Sequence, residues 1–328
     1  MIKFHVTSRA AIRLLIALTL VFSLLLNTTS PARASTVIDI SGPLGSGAFG
    51  AVTLLPNGNF VVVDTSYDAG ATLDVGAVYL YNGATGAQIS ALTGTSADDQ
   101  VGSGGVVVLT NGNYLVFSPN WDNGSVAGAG AVTWGSKTTG VNGVLGAANS
   151  LVGSNADDQV GYDNGSTGYL ELPNGHYVIT SPGWDNGAAT NAGAVTWGSG
   201  TSGVKGSVSA ANSLVGSTTN DLVGQSGQYS GVASLSNGNY VVNSPAWDRT
   251  DTNPDVLNAG AVTWGNGTVG VKGTIGPGNS LVGSNDNDAV GSGAITGSIQ
   301  ELADGNYVVL SPAWDSYRGA ASLSGVGF

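Results

Sequence analysis

Residues 106–118 read VVVLTNGNYLVFS, two apolar runs joined by Asn111-Gly112. Both runs are rich in the β-branched and aromatic residues that favour strands. Asn and Gly tolerate the positive φ angles of a tight turn, so this stretch predicts a β-hairpin. The second run, residues 114–117, is apolar at every position, which is typical of a strand covered on both faces.

The hairpin is one part of a unit that occurs five times. Its turn recurs at Asn57, Asn111, Asn174 and Asn237, with Asp304 in the fifth unit. An aromatic-Asp pair follows each turn by ten residues: Tyr67-Asp68, Trp121-Asp122, Trp184-Asp185, Trp247-Asp248 and Trp314-Asp315. A Gly-Ala-Val block then starts a third strand, and a Ser-Leu-Val-Gly stretch ends a fourth. A period of this length predicts a propeller or a solenoid array.

We predict an all-β fold, a β-propeller of about five four-stranded blades. The units span residues of about 44–97, 98–156, 157–219, 220–286 and 287–328. The fifth unit stops before a fourth strand, whereas residues 36–42 align with the fourth-strand end of the other units. This N-terminal strand is therefore expected to complete the last blade, which closes the ring and leaves no open sheet edge. The alternative is a fragment of a longer array.

The units resemble FG-GAP repeats, the blades of integrin-alpha-type propellers, over nearly all of the chain after residue 34. Phe49-Gly50 is the Phe-Gly element, Val101-Gly102 is a counterpart of it, and Phe117-Ser118-Pro119 represents the Gly-Ala-Pro element. Residues 76–86, GAVYLYNGATG, are similar to the third-strand turn of exported bacterial members. The resemblance implies a protein-binding propeller with Asp-rich calcium loops. This chain departs from the family pattern in having five units instead of seven and in lacking those carboxylates.

Residues 1–34 are predicted to be a cleaved signal peptide. A basic stretch precedes a 13-residue apolar run at positions 14–26, and Ala32-Arg33-Ala34 has the small residues of a cleavage site. Thirteen residues are too few to span a bilayer, and an uncleaved anchor is the alternative. The remainder holds 5 basic and 21 acidic residues. We therefore expect a secreted or cell-surface protein with no integral membrane segment in the mature chain.

Composition excludes several classes of function. The chain has no Cys, so disulfides, zinc-finger sites and thiol nucleophiles are impossible. Nine Lys+Arg stand against 21 Asp+Glu, a formal net charge of −12, which opposes nucleic-acid binding. The 53 Gly residues disfavour a helical fold, because Gly weakens helix interiors.

We predict no catalytic residue, no cofactor and no metal ion. Calcium needs about six to eight oxygen ligands, and the turn at residues 109–113 holds no carboxylate. The only His after residue 34 is His176, in a slot where the other units have Asn. Glu171 and Glu301 occupy equivalent strand positions, which indicates a shared structural role. A catalytic pair needs two unlike environments instead.

Acidic pairs recur before the Val-Gly elements, at Asp98-Asp99 and Asp157-Asp158, with Asn220-Asp221 and Asn287-Asp288 as variants. The second Asp is expected to accept backbone N–H bonds in a turn, and a weak cation between blades is the alternative. The Trp rings are expected to pack between blades, and a ligand platform is the alternative.

The fourth unit carries an insertion. Eight positions separate Asp185 from Gly193, whereas twelve separate Asp248 from Gly260. The insertion holds Arg249, Asp251 and Asp255, and function tends to lie on loops held by a rigid scaffold. We predict that it contacts a partner, with Arg249 as the charged anchor. A neutral surface insertion is the alternative.

These features together predict a secreted or cell-surface propeller that binds or adheres to an unknown protein or glycan ligand and is not an enzyme. One alternative is a structural exoprotein whose repeats self-associate. An extracellular hydrolase is less favoured, because it needs an acidic centre supplied by several blades.

Overall fold

The computed structural model describes residues 37–163, 165–226, 229–292 and 298–324. The predicted signal peptide lies outside the described residues, and so does residue 36 of the predicted closing strand. The chain divides into two units, Met1–Asp39 and Ile40–Phe328, and every strand in the described residues belongs to the second. In the described part of the chain, no helix is long and apolar enough to cross a membrane.

Each repeat contributes the main strands of one sheet. The first repeat supplies β1 (Ala51–Leu54), β2 (Phe60–Asp64), β3 (Ala77–Tyr81) and β4 (Gln88–Thr93). The second supplies β5 (Gly105–Val108), β6 (Tyr114–Ser118), β7 (Ala131–Gly135), β8 (Gly143–Val144) and β9 (Ser150–Val152). The third supplies β10 (Tyr162–Asp163), β11 (Ser166–Thr167), β12 (Tyr169–Glu171), β13 (Tyr177–Ser181), β14 (Ala194–Gly198), β15 (Gly206–Ser207) and β16 (Ser213–Val215).

The fourth repeat has the same order of strands as the third. It supplies β17 (Gln225–Ser226), β18 (Tyr229–Ser230), β19 (Val232–Ser234), β20 (Tyr240–Ser244), β21 (Ala261–Gly265), β22 (Gly273–Thr274) and β23 (Ser280–Val282). The fifth supplies β24 (Ile299–Glu301), β25 (Tyr307–Ser311), the four-residue helix α1 (Trp314–Tyr317) and β26 (Ala320–Ser324).

Each sheet is an antiparallel meander. In the second sheet, β5 pairs with β6, β6 with β7, and β7 with β9, all antiparallel. Each of the first four sheets contains four such strands, and the last sheet contains β24, β25 and β26. The prediction of an all-β chain built from five repeats is confirmed.

A short parallel strand ties each of three repeats to the sheet before it. β8, β15 and β22 have two residues each, and each pairs in parallel with the fourth meander strand of the preceding repeat. Directly after β8, the backbone N–H of Leu145 donates to the Thr93 carbonyl at 2.9 Å. Two residues are too few to show a strand pattern, so the sequence did not predict these links.

The core lies between consecutive sheets. Leu115 and Phe117 of β6 pack with Tyr177 of the third sheet in one cluster, while Tyr114 and Val116 pack with the first sheet in another. All five residues of β6 are buried, which confirms a strand covered on both faces. Burying one such side chain contributes about 1.5–3 kcal/mol, so packing against neighbouring sheets contributes much of the stability of each sheet.

The hairpin turn differs in detail from the prediction. Gly112 has a φ of +85°, whereas Asn111 is absent from the positive-φ residues. The Asn111 side chain instead accepts the Asn113 backbone N–H at 2.9 Å through Oδ1 and donates from Nδ2 to the Gly200 carbonyl at 2.7 Å. Asn is therefore favoured here by side-chain hydrogen bonds, one of them to the next repeat, and only Gly112 supplies the left-handed backbone.

Aromatic side chains cover the outer face of the first sheet. Tyr79 and Tyr81 of β3 occupy the register positions held by Thr133 and Gly135 in β7. Both tyrosines are buried in a cluster that includes Phe49, whose ring centroid lies 6.0 Å from that of Tyr79. These rings fill the side of the first sheet on which the other sheets receive a preceding repeat.

The predicted closing strand is wrong in this structure, because residues 37–42 belong to no strand. The last sheet has three strands in the described part of the chain. Its outer face exposes Leu323, which is 70% accessible. In the described residues, four core clusters join consecutive sheets and one lies on the first sheet, and none of them joins the fifth sheet to the first. The physical reason is that Ile40, within this segment, packs instead against the cluster of the first sheet that contains Tyr79 and Tyr81.

Candidate functional site

Four buried carboxylates hold the turns that lead from one repeat to the next. They are Asp99, Asp158, Asp221 and Asp288. Asp158 accepts the backbone N–H groups of Ser154 and Asn155 through Oδ2 at 2.7 and 2.8 Å. Its Oδ1 accepts the N–H of Asp185, which follows β13 of the third sheet, at 2.9 Å. The expected turn carboxylate is confirmed, and it also joins adjacent repeats.

Burial is the main influence on the acidity of these groups. It raises the pKa of Asp99, Asp158 and Asp221 above the ordinary 3.8, although backbone hydrogen bonds oppose the shift. The nearby charges of Asp122 and Asp185 raise the pKa of Asp99 and Asp158 further. Burial also raises the pKa of Asp288, but its hydrogen bonds to backbone N–H groups together outweigh burial and lower the pKa below 3.8.

These shifts predict that acidification from pH 7 towards pH 4 raises the melting temperature. The folded chain binds protons at these three groups, and at Asp163, more tightly than the unfolded chain does, so stability falls as pH rises from 3.8 through the raised pKa. Asp288 acts with the opposite sign, but only below 3.8. Calorimetric melting across this range is the measurement, and Asp221→Asn should show a shallower pH dependence. A melting temperature that falls on acidification contradicts the prediction.

His176, the only His in the described residues, makes a structural contact. The backbone N–H of Gly200 donates to Nδ1 of His176 at 3.1 Å, as the N–H of Gly267 donates to Oδ1 of Asn239 in the next repeat. The His176 ring also lies 4.9 Å from that of Trp197. His176 therefore replaces a turn Asn in its hydrogen bond, as the sequence predicted.

The two Glu residues make equivalent links between neighbouring repeats. Oε1 of Glu171 accepts both the N–H and the hydroxyl of Thr110 at 2.7 Å. Oε1 of Glu301 accepts the same two groups of Ser236 at 2.8 and 2.7 Å. The predicted shared structural role is confirmed. Trp121, Trp184 and Trp247 are 3–4% exposed, which confirms packing between sheets.

The inserted loop of the fourth repeat has the same base as the shorter loops of the other repeats, such as the one formed by Asn186 and Ala189. Backbone N–H groups of Arg249 and Val256 donate to each other's carbonyls at 2.9 Å. The Arg249 Nε lies 2.6 Å from Asp251 Oδ1, and the two side chains are 23% and 49% exposed. This hydrogen bond lowers the pKa of the Asp251 carboxyl. Asp255 is also exposed, so the structure places all three predicted residues on one loop.

Arg249 has a counterpart in the shorter loops. Asn186 occupies the same base position and donates from Nδ2 to the Gly216 carbonyl at 2.8 Å. Arg249 donates from Nη1 to the equivalent carbonyl, that of Gly283, at 3.4 Å. Its guanidinium therefore serves the local structure of the loop. A role of Arg249 as the anchor for a partner stays a prediction.

A polar cleft opens at the end of the third sheet, where β13 ends and the turns before the third and fourth sheets meet. Its volume is about 340 Å³. The residues that line it include Asp157, Gln159, Tyr162, Gly183, Asn191 and Gln225. A volume of this order is within the range of about 300–1,000 Å³ typical of small-ligand sites. The sequence analysis did not predict this site.

Gly183 explains why the cleft is open. The second repeat has Asn120 at this position, and Asn120 donates from Nδ2 to Oε1 of Gln100 at 2.9 Å. Gln159 is the counterpart of Gln100 in the third repeat, but Gly183 has no side chain to reach it. A Cβ added to Gly183 would meet its nearest heavy atoms at 3.8–4.0 Å, which is ordinary contact. The space is therefore large enough for a side chain that the sequence does not supply.

Two small hairpins add walls to the cleft. β10 pairs with β11, and β17 pairs with β18. Gln225 of β17 donates from Nε2 to Oδ1 of Asp163 in β10 at 3.4 Å. Asp163 is 8% exposed, and burial raises the pKa of its carboxyl against the hydrogen bonds of Gln225 and Thr180. Asp163 therefore orients Gln225 at the edge of the cleft.

A spacing difference in the sequence signals these hairpins. Eight positions separate Val101 from Leu109, whereas twelve separate Val160 from Leu172 and Val223 from Leu235. The four extra residues form the hairpin in the third repeat. Their function is invisible without the tertiary structure, because the cleft combines them with Gly183 and Asn191 from a different part of the repeat.

Metal ligands are not gathered at the cleft or elsewhere in the residues that the structure describes. No group of three or more His, Asp or Glu side chains there is arranged to hold a metal ion. The oxygens of Asp158 instead accept backbone N–H groups.

Five sheets built from one repeated unit, with a polar cleft formed by its turns, define a β-repeat protein. The chain belongs to the family of the repeat of unknown function DUF5650, whose model matches more than half of it. The matched stretches are residues 54–103, 108–162, 171–225, 234–292 and 301–325. Each stretch begins at the last residue of the first meander strand of a sheet. No curated protein matches this chain.

Proposed function

We propose that this chain is a non-catalytic binding module that is secreted or held at the cell surface and takes a protein or glycan ligand. The observation that carries the proposal is the cleft beside Gly183, in a place that Asn120 fills in the second repeat. A rigid scaffold with ligand-sized openings between its turns is the usual arrangement of a binding site. The contacts of His176, Glu171 and Glu301 support binding over catalysis, because His176 accepts a backbone N–H of its own repeat and the two Glu residues accept backbone and hydroxyl groups of a neighbouring repeat.

Export is the second part of the proposal. Its support is the basic and apolar pattern of residues 1–34 together with the acidic balance of the rest. Expression of the full chain in a bacterial host, followed by N-terminal sequencing of the exported protein, tests it. We expect the mature protein to begin at Ser35, and an N-terminus at Met1 on a protein retained in the cell contradicts export.

The five-bladed propeller and the likeness to FG-GAP repeats also stay proposals. Face-to-face packing of four-stranded meanders supports a propeller. The aromatic cluster of Tyr79 and Tyr81, which covers the outer face of the first sheet, supports an open array instead. Small-angle scattering on residues 35–328 separates the two, because a ring has a smaller radius of gyration than an open stack of the same sheets.

The binding function is tested directly with arrays. Folded protein of residues 35–328 is applied to arrays of extracellular proteins and of glycans, and heat-unfolded protein serves as the control. We expect saturable binding to at least one class by the folded form alone. No binding on either array, with the fold verified by circular dichroism, contradicts the proposal.

The inserted loop makes a separate prediction. Residues 249–256 are replaced by Asn-Gly-Ala-Ala, the shorter form found at residues 186–189. The base contacts are retained, so the free energy of unfolding should change by less than about 1 kcal/mol. If the loop carries the partner contact, affinity for the array ligand falls at least tenfold. The same affinity with an intact fold excludes the loop as the site and leaves the cleft.

Self-association is a second candidate function, and the outer face of the last sheet favours it. Leu323 is 70% exposed there, and Val308 and Leu310 are half-buried. Val241 of β20, which corresponds to Val308, is fully buried. An exposed apolar face is a common interface. Sedimentation velocity over a hundredfold concentration range is the test, with Leu323→Glu as the variant. A monomer at every concentration excludes this function.

A further inference from the structure

The cleft beside Gly183 has the lining of a site for a neutral polar ligand. None of the described residues that line it is Lys, Arg or His, so it offers no side-chain cation to a phosphate or a carboxylate. Exposed Asp157 lies at its rim and repels anions. Most of the lining is polar, which opposes an aliphatic ligand. The lining therefore favours an uncharged molecule with several hydrogen-bonding groups.

Amide side chains dominate the polar part of this lining. Gln159, Asn191 and Gln225 each present a donor and an acceptor side by side. The Asn191 Nδ2 donates to Oδ1 of Asn220 at 3.2 Å, and Gln225 is held by Asp163, so both amides have a set orientation. In the described part of the chain, no hydrogen bond holds the side chain of Gln159, in contrast to Gln100. A ligand hydroxyl, which is itself donor and acceptor, matches such amides.

One aromatic residue completes the lining. Tyr162 of β10 lines the cleft and is half-buried. Its hydroxyl lies 3.9 Å from the position that a Cβ on Gly165 would take, so the ring follows the wall formed by the hairpin. An aromatic ring offers an apolar face together with a polar hydroxyl. A ring with C–H groups on one face and hydroxyls at its edge is complementary to this combination.

The cleft is also held rigid. Gln159 and Leu222 have φ angles of +44° and +48°, which L residues adopt rarely. The buried carboxylates of Asp158 and Asp221 lie directly before them and bind the same turns through backbone N–H groups. The walls are therefore formed before a ligand arrives, which lowers the entropy cost of binding.

We propose that the cleft beside Gly183 binds one neutral sugar residue, with amides of Gln159, Asn191 and Gln225 on its hydroxyls and the Tyr162 ring along its face. This inference rests on the proposed binding function and names its ligand class. Uronic and other acidic sugars are excluded by Asp157 and by the absence of a cation in the described lining. A protein ligand at another surface would leave the cleft unused.

Saturation-transfer NMR tests the proposal with the folded chain of residues 35–328. The probes are neutral hexoses and N-acetylhexosamines at about 10 mM, which saturates a site with a Kd of roughly 1 mM. Glucuronic acid is the anionic control. We expect transfer to at least one neutral sugar and none to the acid.

The variant that decides the location is Gly183→Asn, which places in the third repeat the side chain that Asn120 has in the second. It should bridge to Gln159, fill the cleft and weaken sugar binding at least tenfold. Asn120→Ala is the matched control and should leave sugar binding unchanged. If Gly183→Asn does not fold, Gln159→Ala takes its place and should also weaken sugar binding at least tenfold.

The outcomes separate this inference from the proposed function. No transfer to any neutral sugar overturns the sugar site, while the protein array still decides whether the chain is a binding module. Transfer that is unchanged in Gly183→Asn or Gln159→Ala also overturns it, because the sugar then binds elsewhere, and the binding function stands. Silence in the NMR experiment and on both arrays rejects both proposals.

Discussion

Replacing Asp158 with Ala is expected to lower the free energy of unfolding by about 3 kcal/mol. The substitution leaves the backbone N–H groups of Ser154, Asn155 and Asp185 without their acceptor. Each unpaired buried donor costs about 1–3 kcal/mol. Part of this is offset, because removing the carboxylate also removes the cost of burying its charge, the same cost that raises its pKa.

Urea unfolding of wild type and variant measures this loss. The matched control is Asp157→Asn at the neighbouring exposed position, where Asn also tolerates the φ of +61°. We expect the control to stay within about 0.5 kcal/mol of wild type. Asp158→Asn should be intermediate, because its amide keeps one acceptor oxygen but turns an NH₂ group towards a backbone donor. Equal stabilities of wild type and Asp158→Ala would show that water replaces the carboxylate without loss.

Removing the Tyr79 ring is expected to have an effect of similar or greater size. Tyr79 is 3% exposed and packs against Phe49, Tyr67 and Tyr81 on the outer face of the first sheet. Large-to-small changes of a buried aromatic residue cost about 3–5 kcal/mol. Because each sheet depends on its neighbours, the loss should first appear as local unfolding of β1–β4.

Hydrogen exchange of the individual sheets, together with thermal unfolding, measures this effect. We expect protection to fall in the first sheet of Tyr79→Ala and to persist in the third and fourth. Leu54→Ala is the matched control in the same sheet, because Leu54 is 77% exposed. Uniform loss of protection across all five sheets contradicts an array capped at the first sheet and favours a cooperative closed ring.

The hairpins and buried strands were predictable because their signals are local. In VVVLTNGNYLVFS, the turn residues and the apolar runs lie within 13 positions, and the structure forms β5 and β6 there. The turn role of Asp158 was predictable for the same reason, since its first two donors are three and four residues away. Asp185, the third donor, lies 27 positions further along the chain, and the spacing alone did not indicate this contact.

The closing strand was predicted wrongly because the similarity of a short segment to a strand end does not specify which strand it pairs with. Residues 37–42 resemble a fourth-strand end in sequence, yet they form no strand. The deciding residues are Tyr79 and Tyr81, whose cover over the first sheet depends on Phe49 and Ile40. The replacement of Thr133 and Gly135 by these tyrosines is visible in the sequence. Only the structure shows that both rings lie on the same face of the first sheet.

The sequence by itself determined the β class, the five repeats, the hairpin turns and the structural roles of His176 and of the two Glu residues. These follow from periodicity and turn chemistry, which act over a few residues. Only the tertiary structure decided the parallel links β8, β15 and β22, the capped first sheet and the cleft. The cleft arises because Gly183 omits a side chain opposite Gln159, 24 positions earlier, and because the hairpins at Tyr162 and Gln225 wall the gap. Such a space is a property of several distant segments packed together, so no local pattern encodes it.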